Sequence, residues 1–407
     1  MGNGTFRLQP QFWGLRRNTL ADNGCFVVTK REGSPFNLRS EFQTRRFLVT
    51  HRIVVLGAGY AGLNAAARAA RLLRGRDVRL TLINRTDRFV ERIRLHQLAA
   101  GQELPDRPLR RLLAGTAVEL TVATVTGIDL ENRVVRTDSA PVGYETLIYA
   151  LGSDADLDAV PGVREHAYSV AERTQALRLR ERLCGLDGSV VVVGGGLTGI
   201  EAATEIAQAY PRLRVELVSS ASVGGWLSER AQRHLRKSFA DKGISVIEGV
   251  CVAKAGPDGL VAEDGRTIPG DLIVWAAGFQ VPELARAAGL TTDARGRLLV
   301  DDRLRSISHP EVYGVGDAAG DGVRMSCQTG MQMGPYVAQD IARALRGRKS
   351  KPVVLRYFWQ NISLGRGDGV TQFTRFDDSP TGLVLTGRTS AWFKELVSRG
   401  AMWAVRR

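Results

Sequence analysis

Cysteine is scarce, and the four residues present, Cys25, Cys184, Cys251 and Cys327, are far apart, with no C-x-x-C or other close pair. A disulfide framework and a zinc site are therefore disfavoured, and a reducing cytosol is the natural setting. No apolar run is long enough to span a bilayer. No nucleophilic triad and no metal-ligand cluster stands out. Acidic residues are also few: 42 Asp and Glu face 56 Lys and Arg, a net charge of +14. Such an excess suits nucleic acid, an anionic membrane surface, an acidic substrate or simply an Arg-rich proteome. Nucleic acid fits worst, because aromatic and basic residues are not interleaved on a recognisable module. The length of 407 residues implies two or three domains.

What is present is a repeat. Ile53 to Ala70 reads IVVLGAGYAGLNAAARAA, an apolar strand, a tight turn and an Ala-rich helix. The turn, Gly57-Ala58-Gly59-Tyr60-Ala61-Gly62, is the G-x-G-x-x-G of dinucleotide binding in its required strand–turn–helix context. The first glycine permits the turn, the second admits a pyrophosphate, and the third lets helix and strand close up. The helix N-terminus then faces the phosphates with free N–H groups. The pattern recurs at an offset of 137 in Val190 to Ala207, VVVVGGGLTGIEAATEIA, where 8 of 18 positions are identical. Its turn carries Gly194, Gly196, Leu197, Thr198 and Gly199. Two copies predict an α/β fold with two Rossmann-like domains.

The remaining segments fill in around these units. Met1 to Val49 has eight basic and three acidic residues and no sustained periodicity. It reads as a disordered leader or upstream extension, with Val49 a plausible true start. Val78 to Ile83 is a buried strand ending at Asn84, where an acid usually holds the adenosine ribose. Arg88 to Ala100 is helix-like, and His96 within it reads as a packed or capping residue rather than a catalyst. Val118 to Val125 and Arg133 to Thr137 alternate like an antiparallel hairpin. Tyr144 to Ser153 is a short strand breaking at Gly152. The strand after the second repeat ends at Ser219, so the choice between NADH and NADPH stays open. Asp271 to Gly278 runs back out of the second unit, and Val312 to Ala318 presents Gly316 and Asp317. MSCQTGMQMG, Met325 to Gly334, then leads into a helix starting at Pro335.

In this order GAGYAG, YALGS, GGGLTGIE, WAAGF, VYGVGDA and SCQTGMQMG resemble the two-dinucleotide-binding-domain flavoprotein reductases of the pyridine nucleotide-disulfide oxidoreductase superfamily. The nearest branch is similar to the type II NADH:quinone oxidoreductases and their actinobacterial relatives. The resemblance runs from Arg52 to about Gly347. It implies a glutathione-reductase-like architecture. An FAD domain over 50–158 and 279–350 would be split by an NAD(P)H domain over 159–278, with a C-terminal segment over 351–407. The first turn would hold FAD and the second NADH or NADPH. Asp317 would bind the ribityl chain, and Gln328 and Gln332 would flank the isoalloxazine and a quinone pocket. Cys327 stands where Ala is common, and Asn84 and Ser219 stand where acids are usual.

Flavin chemistry asks the protein for orientation and local charge more than for acid–base groups. No dithiol is available, so electrons should leave for an external acceptor, a quinone or another small oxidant, and the resemblance favours a quinone-like one. A soluble tailoring oxidoreductase acting on a small aromatic or quinonoid metabolite, and an NAD(P)H-sensing flavoprotein, are the alternatives. Glu201 has Asn64 as its counterpart in the first repeat; the resemblance implies a proton route beside the nicotinamide, whereas the residues alone read as an acid stabilising a first helical turn. Cys327 is a reactive thiolate or a packing residue. Ser390 to Arg407 carries Trp392, Phe393, Leu396, Val397 and Trp403 with Lys394, Arg399, Arg406 and Arg407. It is either an interfacial helix, seating a cytoplasmic enzyme on the inner face of the membrane, or a final helix packed on the core. The resemblance also allows a homodimer.

Overall fold

Ile53, Val54, Val55 and Leu56 are fully buried, as a strand covered on both faces requires. Each such side chain contributes roughly 1.5–3 kcal/mol. The computed structural model, which describes residues 50–320 and 322–406, places this strand (His51–Leu56) at the centre of a five-stranded sheet. The order is Val312–Gly314, Thr146–Tyr149, His51–Leu56, Val78–Asn84, Val118–Val122, and every pair is parallel. The second repeat builds the same arrangement. Its sheet runs Ser245–Ile247, Arg214–Val218, Ser189–Val193, Leu272–Trp275, Ala167–Ser169, again all parallel. The fold is α/β, as the repeat predicts. The leader expected over 1–49 lies outside the described residues.

A fingerprint helix follows the central strand of each sheet, Tyr60–Leu72 in the first and Leu197–Ala209 in the second. After the last parallel strand comes an 18-residue helix, Cys327–Ala344, here called the glutamine helix. An antiparallel sheet of Trp359–Ser363, Gly369–Thr374 and Pro380–Thr386 and a 20-residue helix, Gly387–Arg406, complete the chain. This final segment straddles the molecule. Its Ile362, Leu364, Val370 and Val384 join the core of the second sheet, beside Val190, Val192 and Ile206. Its Ala401 and Met402 join the core of the first, beside Leu63, Met333 and Val337.

Three local expectations are corrected. Val118–Val122 is not a hairpin strand but the parallel edge of the first sheet, and the hairpin is Val125–Asp129 with Val134–Thr137. Arg88 to Ala100 is helical only at Leu95–Ala99, after a 3-10 turn over Arg92–Arg94. Upstream, Arg88 bridges Pro108 and Glu91 pairs with Arg107 at 2.8 Å, contacts that hold the chain extended. Finally, the helix expected at Pro335 begins eight residues earlier, with Pro335 inside it. Ser326 caps it by accepting from the Thr329 N–H at 3.2 Å. Gly330 and Gly334 are poor helix formers within it. Packing overrides their poor propensity, because a Cβ on Gly334 would collide with the Ala61 carbonyl where the two helices cross.

Candidate functional site

The two glycine turns share one geometry. Gly57 and Gly194 have φ of +91° and +119°, and a Cβ on either would lie 2.6 Å from the carbonyl oxygen of Ala150 or Ala276. A Cβ on Gly62 or Gly199 would strike the carbonyl of Gly57 or Gly194. Gly59 and Gly196, in contrast, face open space. Both are N-caps without a side-chain cap, so the N–H groups of the first helical turns, at Tyr60 and Ala61 and at Leu197 and Thr198, await an acceptor from outside. An anionic group fits each turn. Asn84 braces the first: its Oδ1 accepts from the Ala58 N–H at 2.9 Å, and its Nδ2 donates to the Thr86 carbonyl at 2.8 Å. Ser219 is buried against the second, where a Cβ on Gly195 would meet its hydroxyl.

Asp317 lies at the mouth of the first turn. Its Oδ2 accepts from the Ser153 hydroxyl at 2.8 Å, and the Arg92 guanidinium is 3.8 Å from the same oxygen. Arg92 also reaches the Ser153 hydroxyl at 3.3 Å and lies 5.9 Å over the ring of Phe279. Gly152, Gly278 and Gly316 each precede one of these residues, just past a strand end. The Gly316 N–H donates to the sulfur of Met333, and a Cβ on Gly316 would sit 3.1 Å from Ala61. The glutamine helix therefore meets the first turn here, with Cys327 and Gln328 at its leading end. Burial, with Asp317 nearby, pushes the Cys327 thiol up. Tyr60, stacked edge-on to Phe89 at 5.1 Å, has a buried hydroxyl without a hydrogen-bond partner.

The glutamines differ. Gln328 Oε1 accepts from Arg324 Nη2 at 3.2 Å. Gln332 spends its amide on backbone groups: its Nε2 donates to the Arg356 carbonyl at 2.8 Å and to the Gln328 carbonyl at 3.2 Å, and its Oε1 accepts from the Arg356 N–H at 3.0 Å. It thereby ties the C-terminal segment to the glutamine helix.

Glu201 is buried at a junction of four elements. Its Oε1 accepts from Lys394 Nζ of the last helix and, at 3.0 Å, from the Ser363 N–H. Its Oε2 is 3.5 Å from His96 Nδ1. Burial opposes the charge, but Lys394, His96 and the Ser363 amide outweigh it and hold the carboxyl below its ordinary value. His96 is pushed down to about 4 by burial, which Glu201 only partly offsets, and stays neutral at neutral pH. One turn on, Glu205 is pushed up by burial, although Arg366 at 3.2 Å opposes this.

Residues 51–334 match the family of pyridine nucleotide-disulphide oxidoreductases. The chain belongs to that family. It is 31% identical over 381 residues to the NADH dehydrogenase-like protein Rv1812c of Mycobacterium tuberculosis, covering 86% of this chain and 90% of that one. It is 24% identical over 392 residues to the type II NADH:quinone oxidoreductase of Staphylococcus aureus, covering 87% and 96%. Among solved structures the fold is similar to the sulfide:quinone oxidoreductase of Aquifex aeolicus (TM-score 0.77, 22% identity, 88% and 91% covered). It is also similar to NDH2 of Plasmodium falciparum in complex with NADH (TM-score 0.73, 17% identity, 88% and 96% covered). Members of the family are flavin-dependent oxidoreductases that use FAD and NADH. The two open glycine turns suit the two pyrophosphates.

Four residues escape a reading of the sequence: Arg92, Ser153, Arg324 and Lys394. Lys394 signals only positive charge on an amphipathic helix, and nothing local reveals its acidic partner. For Ser153, adjacency to the strand-ending Gly152 is the one available hint.

Proposed function

We propose that this chain passes two electrons from NAD(P)H through FAD to a quinone-like acceptor. One observation carries the reading. Cys327 stands at the first glycine turn with no second cysteine beside it among the described residues, and Cys184 and Cys251 are exposed elsewhere. Among the described residues no internal dithiol stands ready to take the electrons, which favours an external acceptor. The low-identity likeness to a type II NADH:quinone oxidoreductase supports a quinone.

FAD, when bound, supplies the hydride and electron chemistry. The chain's own residues bind, orient and charge the site. The turn of Gly57 to Gly62 holds the FAD pyrophosphate, Asp317 the ribityl hydroxyls, and the turn of Gly194 to Gly199 the NAD(P)H pyrophosphate. Asn84 shapes its turn through the Ala58 N–H and the Thr86 carbonyl, and its amide keeps capacity for a ribose hydroxyl. Ser219 lines the second turn. Gln328 presents its amide to the acceptor, and Gln332 holds the wall of that pocket. Lys394 holds a proton at Nζ against the Glu201 carboxylate and also acts electrostatically on Cys327. The pair keeps Glu201 ionised, so its part in this reading is fixed local charge beside the site.

No helix among the described residues is long and apolar enough to cross a membrane. The last helix nonetheless leaves Trp392 at 68% and Leu396 at 50% exposure, facing outward, while Phe393 packs on Trp359 at 5.5 Å. That outer ridge supports a peripheral seat on an anionic lipid surface.

Anaerobic stopped-flow mixing tests the scheme. NADH or NADPH should bleach the flavin spectrum, and menadione should restore it. The better donor settles the nicotinamide. Bleaching without recovery by any quinone would rule out the quinone reading.

A further inference from the structure

Arg324 lies just before the glutamine helix and is held through its backbone, both Nη groups and its planar face, while its buried Nε has no hydrogen-bond partner. Its backbone N–H donates to the Tyr357 hydroxyl at 3.2 Å, and its carbonyl accepts from the Thr329 hydroxyl at 2.9 Å. Its guanidinium lies 4.7 Å over the Tyr357 ring. Arg324 Nη1 meets Asp378 Oδ2 at 3.0 Å, and Nη2 donates to Gln328 Oε1 at 3.2 Å. Asp378 occupies the hairpin turn before Pro380 with φ of +71°, a conformation that few non-glycine residues adopt. The turn is closed by the Arg375 N–H donating to the Ser379 carbonyl at 2.8 Å and the Asp378 N–H donating to the Arg375 carbonyl at 3.0 Å. The C-terminal sheet thus carries a carboxylate to this one guanidinium.

The chemistry of the contact has a direction. A guanidinium only donates, so it must face the oxygen of the Gln328 carboxamide. The Nε2 end is then turned away. Among the described residues no group accepts from it. A freely rotating glutamine would offer an acceptor its oxygen as often as its nitrogen, and a carbonyl oxygen would gain from only one of these.

We propose that Arg324 is a positioning residue that locks the Gln328 amide with its N–H groups toward the acceptor, making the pocket selective for oxidants that present a carbonyl oxygen. This rests on the quinone reading above and deepens it. Asp378 and Tyr357 hold the guanidinium in plane, so orientation is set before the acceptor arrives. Preorganised donors of this kind lose little on binding.

A double-mutant cycle on the FAD-loaded full chain, with menadione as oxidant, decides the matter. Arg324→Met should raise KM for menadione about tenfold. It should leave FAD content and the rate of flavin reduction by NADH within about twofold of wild type. Gln328→Ala should raise KM by a similar factor. In the double variant the Arg324 change should add nothing, because it acts only through the Gln328 amide. If Arg324→Met loses its flavin, Asp378→Asn loosens the same guanidinium more gently. It should give a smaller rise in KM that likewise vanishes in the Gln328→Ala background. Multiplicative effects in the double variant, or an unchanged KM in the Arg324 and Asp378 variants, would overturn the inference alone. A wild-type enzyme that reduces no quinone would overturn it together with the reading beneath it.

Discussion

Lys394 and Glu201 are 193 residues apart in sequence and form an ion pair inside the protein. Their side chains keep 14% and 10% of their exposure. The pair joins the last helix to the second fingerprint helix, and through His96 and Ser363 it reaches the short helix Leu95–Ala99 and the C-terminal sheet. A pair so placed links the second fingerprint helix to the C-terminal segment.

Breaking one side of it should be costly. Lys394→Met leaves a buried carboxylate without its cation, for which about 3–5 kcal/mol is the expected loss. Adding Glu201→Met should recover much of that, since two apolar side chains replace two charges. Urea denaturation of the two variants and the wild type measures both effects.

Acid should weaken the same junction. The unfolded chain protonates His96 through its ordinary value of 6.5, whereas the folded chain does so only near 4. Between these values the unfolded state binds the extra proton, so stability falls as pH falls through that window. Glu201 acts in the same sense, its carboxylate being favoured in the fold and its contribution lost at lower pH. Lys394, Arg366 and Arg94 face His96 and oppose its charge. Between pH 7 and pH 5 the wild type should lose about 2 kcal/mol more than His96→Leu, which has nothing to protonate there. Melting curves of both at the two pH values test this.

Two glycines in helices should respond oppositely to alanine. Gly334→Ala forces a methyl against the Ala61 carbonyl at a helix crossing and should destabilise by about 1–3 kcal/mol. Gly400→Ala, at an open position in the last helix, should stabilise by about 1 kcal/mol. Thermal melts rank them.

Cysteine alkylation should follow burial. Cys184 and Cys251 are exposed, while the Cys327 thiol is held up by burial and by Asp317. At neutral pH iodoacetamide should label the first two well before the third. Peptide mass mapping over a time course shows the order.

The outer ridge of the last helix can be tested apart from catalysis. Wild-type protein should sediment with vesicles of anionic phospholipid, and Trp392→Ser with Leu396→Ser should abolish this without loss of flavin. Sedimentation that is equal in both would remove the helix from any membrane contact.

Sequence by itself determined the two Rossmann-like units. Strand, turn and helix are local events, set by apolar runs and by glycines whose places in the turn admit no side chain. The repeat makes the turns of Gly57 to Gly62 and Gly194 to Gly199 legible, and the strand end at Gly316 presents Asp317, whose role only the resemblance implies. Resemblance pointed to Gln328 and Gln332, but not to the different bonds that their amides make. Tertiary structure alone decided the rest. Val118 to Val122 alternates like a hairpin strand, yet pairs in parallel because its neighbour is the edge of an existing sheet. The glutamine helix starts ahead of Pro335, where Gly330 and Gly334 pack closely on Ala61. Lys394 reads as surface charge and becomes the partner of a buried acid, and Asp378 reads as a turn residue and becomes the anchor of Arg324. Each of these depends on which distant group comes to lie beside it. Periodicity carries no information about that, since ion pairing and burial are properties of the packed chain and not of its local pattern.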